Sequence, residues 1–285
     1  MKILNKNISK ALRAYYLSPD HPMKIRFYWW IRKLLGYARL TLPYANGGWI
    51  TVDERDYLQG QIFTSGYYEP EVWNTLTSFA ISNEVVWDIG AHIGSFAIQT
   101  LLDSRVKEVH AFEPDPLHAD ILRINLGLNK GQYAIYRFAL GSQREQRNLY
   151  HGPMINTGFS SLAIQVSNEV FEVDCRTADE LVFQEGIPSP TLMKVDVEGW
   201  EFKVLQGAQR LLKECPPKAI VFETECDEFG NPINHSIIPY LEGLSYKVEK
   251  IIRPHGAEDL KENFLALYKD TKLEGLKPQL HETQC

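Results

Sequence analysis

The run VVWDIGAHIGSF at Val85–Phe96, with AFEPDP at Ala111–Pro116, constrains this chain more than any other stretch. An apolar strand ends in an acid, a glycine turn opens a helix, and a second apolar strand ends in another acid. Gly90 and Gly94 permit a tight turn and close backbone approach, while the helix start offers unpaired N–H groups to a ligand. Glu113 stands 25 residues beyond Asp88, close to the separation at which a second-strand carboxylate reaches a ribose diol.

The residue before the first glycine selects the ligand. A dinucleotide pocket needs GxGxxG, because a pyrophosphate rests on bare backbone at the helix start. Asp88 takes the place of the first glycine of that motif, and a carboxylate there repels phosphate but suits a cation. S-adenosylmethionine has an ammonium, a sulfonium, a free ribose diol and no phosphate, so acid, glycines, acid is its complementary set. A nicotinamide-type oxidoreductase and a non-catalytic nucleotide-binding protein of the same fold are the alternatives; the first lacks its GxGxxG.

At 285 residues the chain can bury a sizeable core, as one α/β domain with a leading extension or slightly more. No apolar run approaches the ~18 residues of a membrane span. The start MKILNKNISK has no apolar signal core, so a cytoplasmic protein is expected. Cys175, Cys215, Cys226 and Cys285 form no CxxC pair and read as ordinary reduced thiols.

Residues 1–40 carry nine basic side chains against one acid, Asp20; this net +8 leaves −14 for the rest of a chain whose total is −6. Phe27, Trp29, Trp30, Leu34 and Leu35 are interleaved with those bases. Such a segment either rests on an anionic membrane surface as a basic amphipathic helix or docks on the main body. The acidic main body argues against nucleic acid as a partner.

Arg39–Asp53 reads as a hairpin around Asn46-Gly47, and a helix is expected to start near Pro70. From Glu84 strand and helix alternate: strand Val85–Asp88, helix Ser95–Leu102, strand Glu108–Glu113. Next comes a helix capped by Asp115, with Leu117, Ile121, Ile124 and Leu128 on its apolar face. A third strand spans Tyr133–Leu140, and residues 141–175 interrupt the alternation with short β pieces around a polar loop. A helix near Thr177–Glu185, strand Thr191–Asp196, a helix from Trp200, strand Ala219–Thr224 and a helix near Ile237–Leu244 follow. Strands Tyr246–Ile252 and Phe264–Tyr268 close the chain. The pattern predicts a doubly wound α/β fold: a mostly parallel seven-stranded sheet with an antiparallel edge strand and an N-terminal helix-plus-hairpin extension.

WDIGAHIGSF, AFEPDP with LRINLGLN, FALGS, GFSSL and above all MKVDVEGWEFKVLQGAQRLL at Met193–Leu212 together resemble the FkbM family. These are class I, Rossmann-like S-adenosylmethionine-dependent methyltransferases, acting mostly on hydroxyl groups of sugars and natural products. The likeness runs from Gly66 to Asp270, leaving residues 1–65 as an extension and 271–285 as a tail. His92 stands where the family often has Asn. The resemblance implies an O-methyltransferase with S-adenosylmethionine as cofactor and a small-molecule or glycan acceptor.

Resemblance and residue chemistry together put Asp88, Gly90, His92 and Gly94 at the methionine end, Glu113 at the ribose, and Ala139 with Leu140 along the adenine edge. A hydroxyl acceptor needs a proton acceptor within hydrogen-bond reach. Asp196, ending the fourth strand, is the first candidate; Glu198 on the same turn and His235 in a later loop are the others. Glu198 also reads as a helix cap. Glu223 and Glu225 end the fifth strand and, with Asp196, suit magnesium, although the resemblance implies no metal.

Overall fold

The computed structural model describes residues 2–271 apart from 37, 154–155, 228–230 and 253–260. Two helices, α1 (Lys6–Leu17) and α2 (Lys24–Leu34), lead into a hairpin of β1 (Leu40–Tyr44) and β2 (Gly48–Val52). α3 (Tyr57–Ser65) and α4 (Pro70–Thr77) come next. Alternation begins with β3 (Glu84–Ile89), α5 (Ser95–Leu101), β4 (Val106–Phe112), α6 (Pro116–Gly127) and β5 (Gln132–Tyr136). β6 (Ala139–Leu140), β7 (Glu145–Tyr150) and β8 (Val170–Arg176) form a separate three-stranded sheet in the order β6-β8-β7. The remaining elements are α7 (Ala178–Phe183), β9 (Leu192–Val195), α8 (Glu201–Gln206), α9 (Gln209–Glu214), β10 (Ala219–Glu225), α10 (Ile237–Gly243), β11 (Tyr246–Lys250) and β12 (Lys261–Tyr268).

The main sheet has seven strands in the order β11-β12-β10-β9-β3-β4-β5. Pairing is parallel from β10 to β5, and β12 runs antiparallel to both of its neighbours. The antiparallel edge predicted from the closing strand pair is present, with β12 one place in and β11 outermost. β3 and β9 run parallel, but the order in which the chain adds strands reverses there: β4 and β5 are added on one side of β3, β9 and β10 on the other, so a crevice opens beyond the carboxyl ends of β3 and β9.

Period-two alternation fills both faces of the sheet. Val85, Trp87 and Ile89 of β3 join Phe112, Val195, Leu205 and Phe222 in one buried cluster, while Val86 joins Val72, Leu76, Leu192 and Val221 in another. A third cluster unites the leading segment with the sheet: Leu12, Tyr28, Leu40 and Ile50 pack with Ile98, Val109 and Leu122. The extension therefore shares the core of the sheet. Polar stitching adds to this. Asn125 of α6 accepts the Thr51 N–H at 2.7 Å and donates to the Thr51 carbonyl at 3.2 Å; Asn129 does the same for Trp49 at 2.8 Å each way.

Several sequence expectations shift. The third strand ends at Tyr136, and Ala139–Leu140 leave the main sheet to pair with β8. The helix from Trp200 breaks at Gly207, where a Cβ would lie 1.8 Å from the Gly141 carbonyl oxygen, so the break lets the chain pass close to β6. On α6, Leu117 is exposed, and the buried face instead includes His118, Ile121, Leu122 and Asn125. α3 has no strong apolar period and escaped the sequence reading; Asp56 caps it by accepting the Gln59 N–H at 2.9 Å. Cys175 and Cys226 are buried and Cys215 is exposed. Cys285 and nearly all of the 271–285 tail lie outside the described residues.

Candidate active site

A cavity of about 1250 Å³ opens beyond the carboxyl ends of β3, β4, β9 and β10. It exceeds the ~300–1,000 Å³ of a typical single-ligand pocket. Asp88, Gly90, His92, Glu113, Ala139, Leu140, Asp196 and Glu198 all reach its wall, as do Glu223 and Glu225. Gly94 and His235 do not line it. Gly94 opens α5 at φ +91°, and a Cβ there would meet Leu122 of α6 at 2.8 Å, so its smallness serves helix packing. His235 is exposed in the loop before α10.

The turn after β3 is built by close approach. Gly90 has φ +85°, and a Cβ there would fall 1.7 Å from the Asp196 carbonyl oxygen, so only glycine lets the β3 and β9 ends meet. The His92 backbone N–H donates to Glu113 Oε2 at 2.7 Å, and the Asp115 N–H donates to Oε1 at 2.9 Å. Two fixed donors thus hold the Glu113 carboxylate at the cavity. Burial, reinforced by Asp115, raises its pKa to about 8. The His92 ring contributes differently: it packs edge-on against His118 at 4.1 Å, and burial holds it neutral, with a pKa lowered to about 4.

Asp88 is fully buried, and neither carboxylate oxygen has a hydrogen-bond partner. Burial raises it to about 6 against the pull of Lys194. A buried orphan carboxylate on a cavity wall is the chemistry a bound cation satisfies. Asp196 is different. Lys194 Nζ lies 2.7 Å from its Oδ2, and although burial works the other way, that ammonium holds Asp196 below the usual carboxylate range. Burial likewise opposes the charge on Lys194, but Asp196 and Asp88 outweigh it and raise the lysine.

The acids at the ends of β9 and β10 converge, with one substitution in the expected set. Asp196, Glu198 and Glu223 each offer a carboxylate oxygen within 4.8 Å of the others, while Glu225 is exposed at the end of β10. Lys261 of β12 ion-pairs with Glu198 and lies 3.6 Å from Glu223 Oε2. Glu198 is not the helix cap: Trp200 holds the N-cap position of α8 with no side-chain cap, and Glu201 accepts the N–H groups of the preceding turn, Val197 at 3.2 Å and Gly199 at 3.0 Å. Glu198 is thereby left facing the cavity at φ +53°. Sequence reasoning missed Lys194, Glu201 and Lys261. Period two from Asp196 points to Lys194; Lys261 lies 63 residues from its partner and has no local signal.

Residues 88–248, more than half of the chain, match the family model described as the methyltransferase FkbM domain. The hexuronic acid methyltransferase AglP of Haloferax volcanii is 31% identical over 145 residues, covering 51% of this chain and 58% of that protein. The methyltransferase sdnD of Sordaria araneosa is 28% identical, covering 54% and 69%. The 31-O-demethyl-FK506 methyltransferase FkbM of Streptomyces tacrolimicus is 24% identical, covering 44% and 60%. The match thus spans under two thirds of two of these relatives.

Proposed function

Because the chain belongs to the FkbM methyltransferase domain family, we propose that it moves the methyl group of S-adenosylmethionine to a hydroxyl oxygen of a sugar, glycan or natural product. The observation that carries this reading is the pair of acids at adjacent strand ends: orphaned Asp88 for a cation, and Glu113, held by two backbone donors, for a diol. The relatives named for a hexuronic acid and for an FK506 precursor support a small-molecule or sugar acceptor.

When bound, S-adenosylmethionine supplies a methyl group on a sulfonium centre. Asp88, Gly90 and His92 would hold its methionine end, Glu113 its ribose, and Ala139 with Leu140 the adenine edge. Asp196, fixed by Lys194, accepts the hydrogen bond of the acceptor hydroxyl. As the new C–O bond forms, that oxygen becomes strongly acidic, so a weak base in place suffices to take the proton at the Asp196 carboxylate. Lys261, with Glu198 and Glu223, presents mixed charge to a polar acceptor. Incubation with labelled S-adenosylmethionine and fractionated glycan, lipid and small-molecule extracts tests the reading. Calorimetry that detects neither the cofactor nor its demethylated product would overturn it.

We also propose a peripheral location on the cytoplasmic face of an anionic membrane, reached through α2. Met23, Phe27, Trp30 and Leu34 recur at helical spacing and are 67%, 48%, 55% and 66% exposed, on the side away from buried Lys24, Tyr28 and Arg32. Phe27 and Trp30 stack at 5.6 Å within this stripe, and Arg26 and Lys33 stand exposed beside it.

A further inference from the structure

Three buried side chains outside the methyl-transfer proposal meet beside the ribose end. Asp115 caps α6: its Oδ1 accepts the Leu117 N–H at 2.9 Å. Its Oδ2 faces His151 Nδ1 at 2.5 Å, Ser160 Oγ at 3.2 Å and His118 Nδ1 at 3.6 Å. Asp115, His118 and His151 are 0%, 3% and 7% exposed, and one donor atom from each lies within 4.8 Å of the others. Among the described residues His118 makes no hydrogen bond through either ring nitrogen: Nε2 is buried without a partner, and Nδ1, the nitrogen that faces Asp115, stands 3.6 Å from Oδ2, beyond hydrogen-bond reach, which a core imidazole held only for packing does not explain. This group is separate from the acids at the β9 and β10 ends.

We propose that Asp115, His118 and His151 bind a transition-metal ion of the zinc class. Two imidazoles and one carboxylate form a nitrogen-rich borderline set suited to zinc, cobalt or iron(II); magnesium and calcium prefer oxygen donors. Bonds of about 2.0–2.2 Å to a tetrahedral ion place donor atoms roughly 3.4 Å apart, close to the His118–Asp115 spacing. The metal replaces the proton between His151 Nδ1 and Asp115 Oδ2. An imidazolium gives up that Nδ1 proton to solvent and a neutral ring shifts it to Nε2; either way His151 binds as the neutral imidazole through its Nδ1 lone pair, and the close pair opens slightly. His118 follows Asp115 by three positions at the start of α6, whereas His151 comes just after β7, so the ion ties the 141–175 insert to the turn that holds Glu113.

The test uses the full chain and cobalt(II) or zinc(II) alone. Cobalt titration should give one equivalent per chain with visible ligand-field bands, displaced by zinc. His118→Ala and His151→Ala should each weaken binding by more than the roughly 100-fold that loss of a supporting partner costs, while His21→Ala leaves it unchanged. Because either cluster variant can lose its fold, wild-type protein labelled at histidine nitrogen provides a second measurement. Zinc should shift the His118 and His151 resonances and spare His21. Absence of stoichiometric cobalt binding, binding retained in the double variant, or shifts confined to other histidines would each overturn the site. No methyl donor or acceptor is present, so failure here is distinct from failure of the methyl-transfer reading.

Discussion

Glu113 couples cofactor binding to pH. With its free pKa raised to about 8 by burial, it is mostly protonated at neutral pH, yet a diol donates best to the ionised form. Binding therefore releases a proton, and affinity should rise with pH from about 6 to 8 by at most about tenfold per unit, levelling above the free pKa. Asp88, raised to about 6, steepens the dependence only at the acid end of that range. Calorimetry in buffers of different ionisation heat should detect the released proton. Glu113→Gln should flatten the curve, and Glu113→Ala should cost about 1.5–3 kcal/mol of binding. For Asp196, replacement by Asn keeps the shape but removes the proton acceptor, so turnover should fall roughly 10²-fold or more with cofactor affinity little changed. Both acids were legible in the sequence because each ends an apolar strand beside a glycine or proline turn. Lys261 was not, since only the antiparallel return of β12 brings it to Glu198.

At the scale of elements, period and capping identified most of the sheet but misjudged polar residues that serve tertiary contacts. Asn125 and His118 lie on the buried face of α6 because one is bonded to β2 and the other packs beside Asp115 and His92, so an apolar-face count rotated the helix toward Leu117. The leader was ambiguous for a similar reason. Of its nine bases, Arg32 is fully buried and ion-pairs with Glu54, Lys24 pairs with Asp20, and Lys6 and Lys10 sit over the Trp49 ring at 3.8 and 4.8 Å. Much of the net charge is therefore engaged within the fold. Arg32→Ala strands the buried Glu54 carboxylate and should cost about 3–5 kcal/mol in denaturant unfolding. The exposed stripe on α2 makes a separable prediction. Sedimentation with anionic vesicles at low salt should drop in a Phe27→Ser, Trp30→Ser variant that keeps the wild-type unfolding midpoint; equal sedimentation would remove the membrane proposal.

For the whole molecule, the leading hairpin and the sheet share one buried cluster, with Leu40 and Ile50 packed with Val109 and Leu122, so they should unfold together in a single denaturant transition. Family motifs begin only after the hairpin, so the sequence marked where the ligand chemistry lies but gave no sign of how far the stabilising core extends. The paired amides of Asn125 and Asn129 bear on solution behaviour as well. A two-stranded ribbon has an outer edge able to recruit a strand from another molecule, and here that edge is occupied at Trp49 and Thr51 by side chains that imitate a neighbouring strand. The two asparagines thereby act as a guard against sheet growth between copies.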